Sequence, residues 1–121
     1  MTHPHPVALS LPTTEVELAY LAGIIDGEGS ISRLNRDRPR RWTVSIASTS
    51  PELIEWLLQF GGHVHDLTNP LARKPGWQWV ARTWRDVHAL LSAVEPYLII
   101  KREIANRAIR EIEAWLQEVA S

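Results

Sequence analysis

The chain has no cysteine, one methionine and one phenylalanine in its 121 residues. Without thiols it can form neither disulfides nor thiolate metal sites, so a bound metal must be held by oxygen or imidazole, and oxygen donors favour hard ions. No apolar run approaches the roughly 20 residues of a membrane-spanning helix, and the opening Met-Thr-His-Pro-His-Pro lacks the basic segment of a signal peptide. The expectation is an intracellular chain with no membrane partner. A basic excess is also missing: 13 Lys and Arg meet 14 Asp and Glu, for a net charge of -1, where a nucleic-acid binder ordinarily carries surplus base. The chain is long enough for one core of ordinary size, and 45% apolar with 22% charged residues is the composition of a folded domain.

The charge that is present is unevenly placed. Between residues 30 and 85 there are nine bases and four acids, and the run containing Arg33, Arg36, Arg38, Arg40 and Arg41 supplies most of that surplus. Residues 1–13 hold three prolines and no periodic pattern, and read as a flexible arm before a single domain over 14–121. Thr14-Glu15-Val16-Glu17 is a capping box that opens a helix, with the Glu17 carboxylate reaching back to the Thr14 amide. Leu18, Leu21, Ala22 and Ile25 form its apolar face, and Gly27 and Gly29 mark its end. Ala19, Gly23 and Gly27 recur every four residues on a second face. Gly23 inside a helix costs about 1 kcal/mol relative to alanine, and close approach of another backbone would offset that cost.

After Gly29 the period changes to two. Ile31 and Arg33 alternate with Ser30, Ser32 and Leu34, and Trp42, Val44 and Ile46 alternate with Thr43, Ser45 and Ala47, so two strands flank the arginine-rich turn. Ser50-Pro51 starts a second helix that ends at Gly61-Gly62. Strands follow over 63–68 and 77–83, with His63 and His65 on the face opposite Val64, and Gln78 and Arg82 on the face opposite Trp79 and Ala81. Thr83-Trp84-Arg85-Asp86 resembles another capping box, for a helix stopped by Pro96. A last helix should bury a stripe of Ile100, Ile104, Ala108, Ile112, Trp115 and Val119. The order α-β-β-α-β-β-α-α predicts an α+β fold: a four-stranded antiparallel, saddle-like sheet with helices on one face and the other face open. No internal repeat is visible.

Tyr20-Leu21-Ala22-Gly23-Ile24-Ile25-Asp26-Gly27-Glu28-Gly29-Ser30 resembles the signature of the LAGLIDADG homing endonucleases, and the resemblance extends over about residues 14–118. Pro96-Tyr97-Leu98-Ile99-Ile100-Lys101-Arg102 is similar to the segment that carries the family's active-site lysine. The resemblance implies that Glu28 is the acid that holds a divalent ion, expected to be Mg²⁺, with help from the Gly27 carbonyl. It implies that Lys101 lies near the scissile phosphate and that Ser48 stands where many members carry a polar organiser of active-site water. No base follows Ser48, a departure from that pattern. It also implies pairing of two motif helices through Ala19, Ala22, Gly23, Asp26 and Gly27, with Asp26 in a structural role. An acid at a helix C-terminus is on the wrong side of the macrodipole, so local stability does not explain Glu28.

The open face and its turn would meet double-stranded DNA through Ser32, Leu34, Arg36, Arg38, Arg40, Arg41, Thr43, Ser45, His63, His65, Gln78 and Arg82. Arginine suits guanine edges and phosphates, and glutamine suits adenine. A single motif in one short chain calls for a homodimer and a pseudo-palindromic target. The expected function is a site-specific, Mg²⁺-dependent homing endonuclease of a mobile genetic element that makes a staggered cut. The alternative is an inactive relative that acts as a DNA-binding regulator or as an RNA maturase.

Overall fold

A computed structural model describes residues 9–34, 41–68, 71 and 75–120. Helix α1 spans Glu15–Glu28, strand β1 Gly29–Arg33, β2 Trp42–Ser48, helix α2 Pro51–Leu58, β3 His63–Asp66, β4 Trp77–Ala81, helix α3 Trp84–Val94 and helix α4 Arg102–Ala120. A short 3-10 turn, Glu95–Tyr97, follows α3, because Pro96 lacks the amide an α-helix needs there. No helix among the described residues is long and apolar enough to cross a membrane.

The strands form one antiparallel sheet in the order β1-β2-β4-β3. Register ties the two faces to the sequence alternation. Ile31, Trp42, Val44, Ile46, Trp79 and Ala81 are buried on one side, against Leu21, Ala22 and Ile25 of α1, Ile54 and Leu57 of α2, and Val87, Leu90, Leu91 and Val94 of α3. Ala105, Ala108 and Ile112 of α4 complete this core. The other face carries Ser30, Ser32, Thr43, Ser45, Ala47, Gln78 and Val80 and has no helix over it among the described residues. One buried helical layer with one open sheet face is the expected architecture.

Caps set the helix starts. The Thr14 side chain accepts from the Glu17 amide at 3.2 Å, as expected, but the return bond differs: the Thr14 hydroxyl itself donates to Glu17 Oε1 at 3.0 Å. Thr83 accepts from the Asp86 amide at 3.2 Å, yet the Asp86 carboxylate does not close a capping box. Aspartate is one methylene shorter than glutamate, and Oδ1 of the buried Asp86 instead accepts from the Leu9 amide at 3.2 Å. That bond corrects the reading of residues 9–13 as part of an arm. Leu9 is in the core and the Ser10 amide donates to the Phe60 carbonyl, so the strap over α2 and α3 is packed, while residues 1–8 lie outside the described residues.

Gly61 and Gly62 turn the chain out of α2 with φ of 104° and 82°. A Cβ on Gly62 would lie 2.5 Å from Trp79 Nε1, which donates to the Gly61 carbonyl at 2.8 Å, so Gly62 answers both a backbone and a packing demand. The expected apolar stripe of the last helix is corrected at both ends. Ile100 precedes α4 and is 75% exposed, and Val119 is 64% exposed, because the helix extends past the core it covers.

Candidate active site and nucleic-acid face

Glu28 is the last residue of α1, within the helix rather than beyond it, and Gly29 enters β1 directly. The Gly29 amide donates to the Ile25 carbonyl, and a Cβ on Gly29 would lie 2.8 Å from that oxygen, so only glycine permits the tight passage from helix to strand. This passage projects Glu28 at the edge of a concavity of about 430 Å³ that it shares with Ala47, Ser48, Thr49, Leu53, Leu67 and Gly76. The Glu28 side chain is exposed and enters no hydrogen bond or ion pair among the described residues.

Lys101 comes to the same helix end from far along the chain. Its Nζ donates to the Asp26 carbonyl at 2.6 Å, and its amide donates to Asp26 Oδ1 at 2.9 Å. The Ile99 amide donates to Asp26 Oδ2 at 2.7 Å. The last carbonyls of a helix lack helical partners, and a cation at that end is favoured by the macrodipole, so the ammonium satisfies the α1 terminus on both counts. The Gly27 carbonyl belongs to the same set of terminal carbonyls. Lys101 is the residue before α4, and its own carbonyl accepts from the Ala105 amide, so it stands at the N-terminal cap of α4 rather than snorkelling from a helix face. Burial raises the Asp26 pKa, but the amides of Ile99, Lys101 and Ile100 and the Lys101 charge outweigh it and hold the carboxyl below its ordinary value.

The structure therefore gathers Glu28, Asp26, Gly27 and Lys101 at one helix end, and brings Ser48 to the neighbouring wall. Ser48 has a local duty as well: its hydroxyl accepts from the Ser50 amide at 2.9 Å and so shapes the entry to α2. Among the described residues no three His, Asp or Glu gather into a metal-holding group. At this helix end Glu28 is the carboxylate with no partner among the described residues, and carbonyl oxygen lies beside it. Such a hard-oxygen set fits Mg²⁺, which binds through one or two carboxylates and keeps its other positions for water and phosphate.

The residues expected to meet a second helix divide. Ala19, Gly23 and Gly27 are exposed on the outer face of α1, along with Val16 and Tyr20, and a Cβ on Gly23 or Gly27 would meet nothing within 4 Å. Ala22 does not belong with them. It is fully buried in the chain's own core, since it lies one turn from Leu18 and Ile25 on the inward face. Asp26 is likewise occupied within its own chain by the bonds to Ile99 and Lys101.

On the open face the register builds rows. Ala47, Gln78 and His65 lie nearest Glu28, then Ser30, Ser45, Val80 and His63, then Ser32 and Thr43. Ser32 and Thr43 hydroxyls bond each other at 3.3 Å. Leu34, Arg41 and Arg82 are exposed at the far end, while Arg36, Arg38 and Arg40 lie outside the described residues. Ser30, Ala47 and Val80 belong to this face by the same alternation and were not among the expected contacts. Carrying the period-two pattern through every strand position finds them. Arg33 points the other way: its guanidinium meets Glu111 Oε1 at 2.6 Å, and Trp42 Nε1 donates to the same oxygen at 3.2 Å. Burial raises the Glu111 pKa, but Arg107, Trp42 and Arg33 outweigh it and lower the value below the ordinary one.

No curated protein matches the chain by sequence. Residues 15–61 match the family model described as a LAGLIDADG-like domain. Among solved structures, the homing endonuclease I-CvuI in complex with its target in the presence of Ca aligns with a TM-score of 0.63 at 19% identity, over 81% of this chain and 66% of that one. The same enzyme with an I-CreI target, uncleaved in the presence of Mg, gives 0.62 at 17% identity over 82% and 67%. The archaeal intron-encoded homing endonuclease I-Vdi141I, complexed with DNA, gives 0.64 at 16% identity over 85% and 70%. The chain thus spans about two thirds of the length of these structures. With the helical motif, the open four-stranded sheet and these alignments together, the chain has the LAGLIDADG homing-endonuclease fold, and its residues 15–61 carry the LAGLIDADG-like domain sequence.

Proposed function

We propose that two copies of this chain pair through the outer faces of α1 and act as a divalent-metal-dependent endonuclease, making a staggered double-strand cut in a long pseudo-palindromic DNA site such as a mobile genetic element targets. The observation that carries this reading is Glu28: an exposed carboxylate with no partner among the described residues, placed beside Lys101 at the end of a helix whose outer face is bare. The glycine stripe supports the pairing, because the open space at Gly23 and Gly27 means that the chain's own packing does not require glycine there.

Pairing would bring the two Glu28 carboxylates together, where they repel unless cations lie between them. A Mg²⁺ ion held by Glu28 and the Gly27 carbonyl would lower the pKa of a bound water and neutralise charge on the leaving oxygen. Lys101 Nζ has three donors, so it can keep its bond to the Asp26 carbonyl and still face a phosphate, placing fixed positive charge where transition-state charge develops. Asp26 holds the lysine backbone in that position and touches no substrate. Ser48 contributes its hydroxyl to the wall while anchored to the Ser50 amide. The open strand face reads the duplex, and two-fold symmetry makes the half-sites alike.

A second reading, a regulator that binds DNA or a maturase that binds RNA without cutting, is favoured by the surroundings of Ser48. The described residues lining that concavity include no base. The deciding experiment incubates the protein with a randomised duplex library in Mg²⁺ and sequences newly created ends, with Glu28→Gln in parallel. Staggered ends at a pseudo-palindromic site, lost in the variant, are expected. Enrichment of bound duplex with no cut by the parent protein would establish the DNA-binding regulator instead, and enrichment only from a parallel RNA pool the maturase.

A further inference from the structure

At the end of the sheet remote from Glu28, a depression of about 450 Å³ is lined by Leu34, Arg41, Thr43, Arg82, Thr83 and Trp84. We infer that this depression is the base-reading site that carries most of the protein's sequence discrimination, taking a thymine methyl against Leu34 and Trp84 and an adjacent guanine on Arg82. The inference rests on the DNA-binding reading above and adds to it where along each half-site the selectivity lies.

The contrast along the face carries the argument. The middle rows present mainly hydroxyls, Ser30, Ser45, Ser32 and Thr43, with the half-buried Val80 and the exposed His63 beside Ser45, and the Ser32 and Thr43 hydroxyls already bond each other. A rotating hydroxyl donates or accepts, so it accommodates any base edge and discriminates little. Leu34, by contrast, is 74% exposed on a face that is otherwise mostly small and polar. The Leu34 amide donates to the Arg41 carbonyl at 3.3 Å, which extends the β1–β2 ribbon by one pair and brings Leu34 level with the depression. Trp84 also lines it, with its ring edge-on to Trp115 at 5.9 Å and the Arg85 guanidinium over it at 5.2 Å. An apolar wall beside a guanidinium that has no partner among the described residues suits a thymine methyl next to the O6 and N7 of guanine, a chemistry that phosphate alone would not need.

The strands set the distance. Thr43 and Arg41 lie four and six residues from Ala47, which is about 13 to 20 Å along the strand, or roughly four to six base pairs of duplex outward from the row beside Glu28.

The test is a binding selection from a randomised duplex library without divalent metal, using the parent protein and the variants Arg82→Ala, Leu34→Ala and Trp84→Phe, each checked for its parental melting temperature. The parent should show its strongest preference, thymine next to guanine, four to six base pairs outward of the central pairs. Arg82→Ala should weaken the guanine preference roughly five- to hundredfold, and Leu34→Ala should remove the thymine preference and leave preferences elsewhere unchanged. Strongest selection opposite the serine rows, or distal preferences unaltered in the variants, would overturn the assignment with DNA binding intact. Failure of the parent to enrich any duplex would overturn the DNA-binding reading itself.

Discussion

At the scale of single residues, the site rests on an unequal division of labour between neighbouring acids. Glu28 has no partner among the described residues, whereas Asp26 is committed to the amides of Ile99 and Lys101. Glu28→Gln should therefore fold like the parent and lose cleavage, as single-turnover assays would show. Lys101→Met should lower cleavage by about 10² by removing a charge from the reacting phosphate, with binding measured in Ca²⁺ changed much less. Asp26 predicts a pH effect of definite sign. Its pKa lies below the ordinary 3.8 in the folded chain, so its contribution to stability is complete above that value and is lost as pH falls through the lower folded one. Asp26→Asn should cost about 1–2 kcal/mol at neutral pH, discounted for partial exposure, and should flatten the acid limb of melting temperature against pH. An unchanged acid limb would mean that the Asp26 bonds do not hold the segment before α4.

At the scale of elements, the structure explains which parts of the fold were legible in the sequence. Strand faces were, because Trp42, Val44, Ile46, Trp79 and Ala81 alternate with small or polar residues and a period of two leaves one solution. Helix starts were, because Thr14, Ser50 and Thr83 each accept from an amide three residues on. Leu9 was not, since its place depends on Asp86, 77 residues away, and no local pattern announces such a bond. Ala22 was misassigned for a related reason: a stripe of small residues and the inward face of α1 overlap at that turn, and only the packed structure separates them. The motif pointed to Glu28 and the 96–102 segment to Lys101 as candidates, but the depression lined by Trp84 joins a strand end to a helix start and has no sequence signature. Helix α1 also yields a prediction with two opposed readouts. Gly23 has open space around it, so Gly23→Ala should stabilise the isolated chain by up to about 1 kcal/mol, while Gly23→Leu should abolish pairing in sedimentation experiments. A Gly23→Leu protein that still sediments at twice 13.8 kDa would refute the helix-pairing model.

At the scale of the whole molecule, a net charge of -1 conceals a polarised surface. Arg41 and Arg82 are exposed at the open face, whereas Arg33 and Arg107 are paired with Glu111 on the helical side. Affinity for duplex should accordingly fall steeply with salt. If Arg41 neutralises one phosphate per copy, Arg41→Ser should flatten the slope of log affinity against log salt by roughly 1 for each copy bound, as titrations at several ionic strengths would reveal. The bare stripe at Gly23 and Gly27 has a further consequence for how the proposed activity would scale. Under the proposed pairing, a chain that carries one Glu28, with the neighbouring Asp26 committed to the Ile99 and Lys101 amides, holds half a cutting centre, so in dilute solution cleavage should rise with the square of protein concentration. Such a nuclease would be silent when few copies are made and active once enough accumulate, with its own association constant setting the threshold.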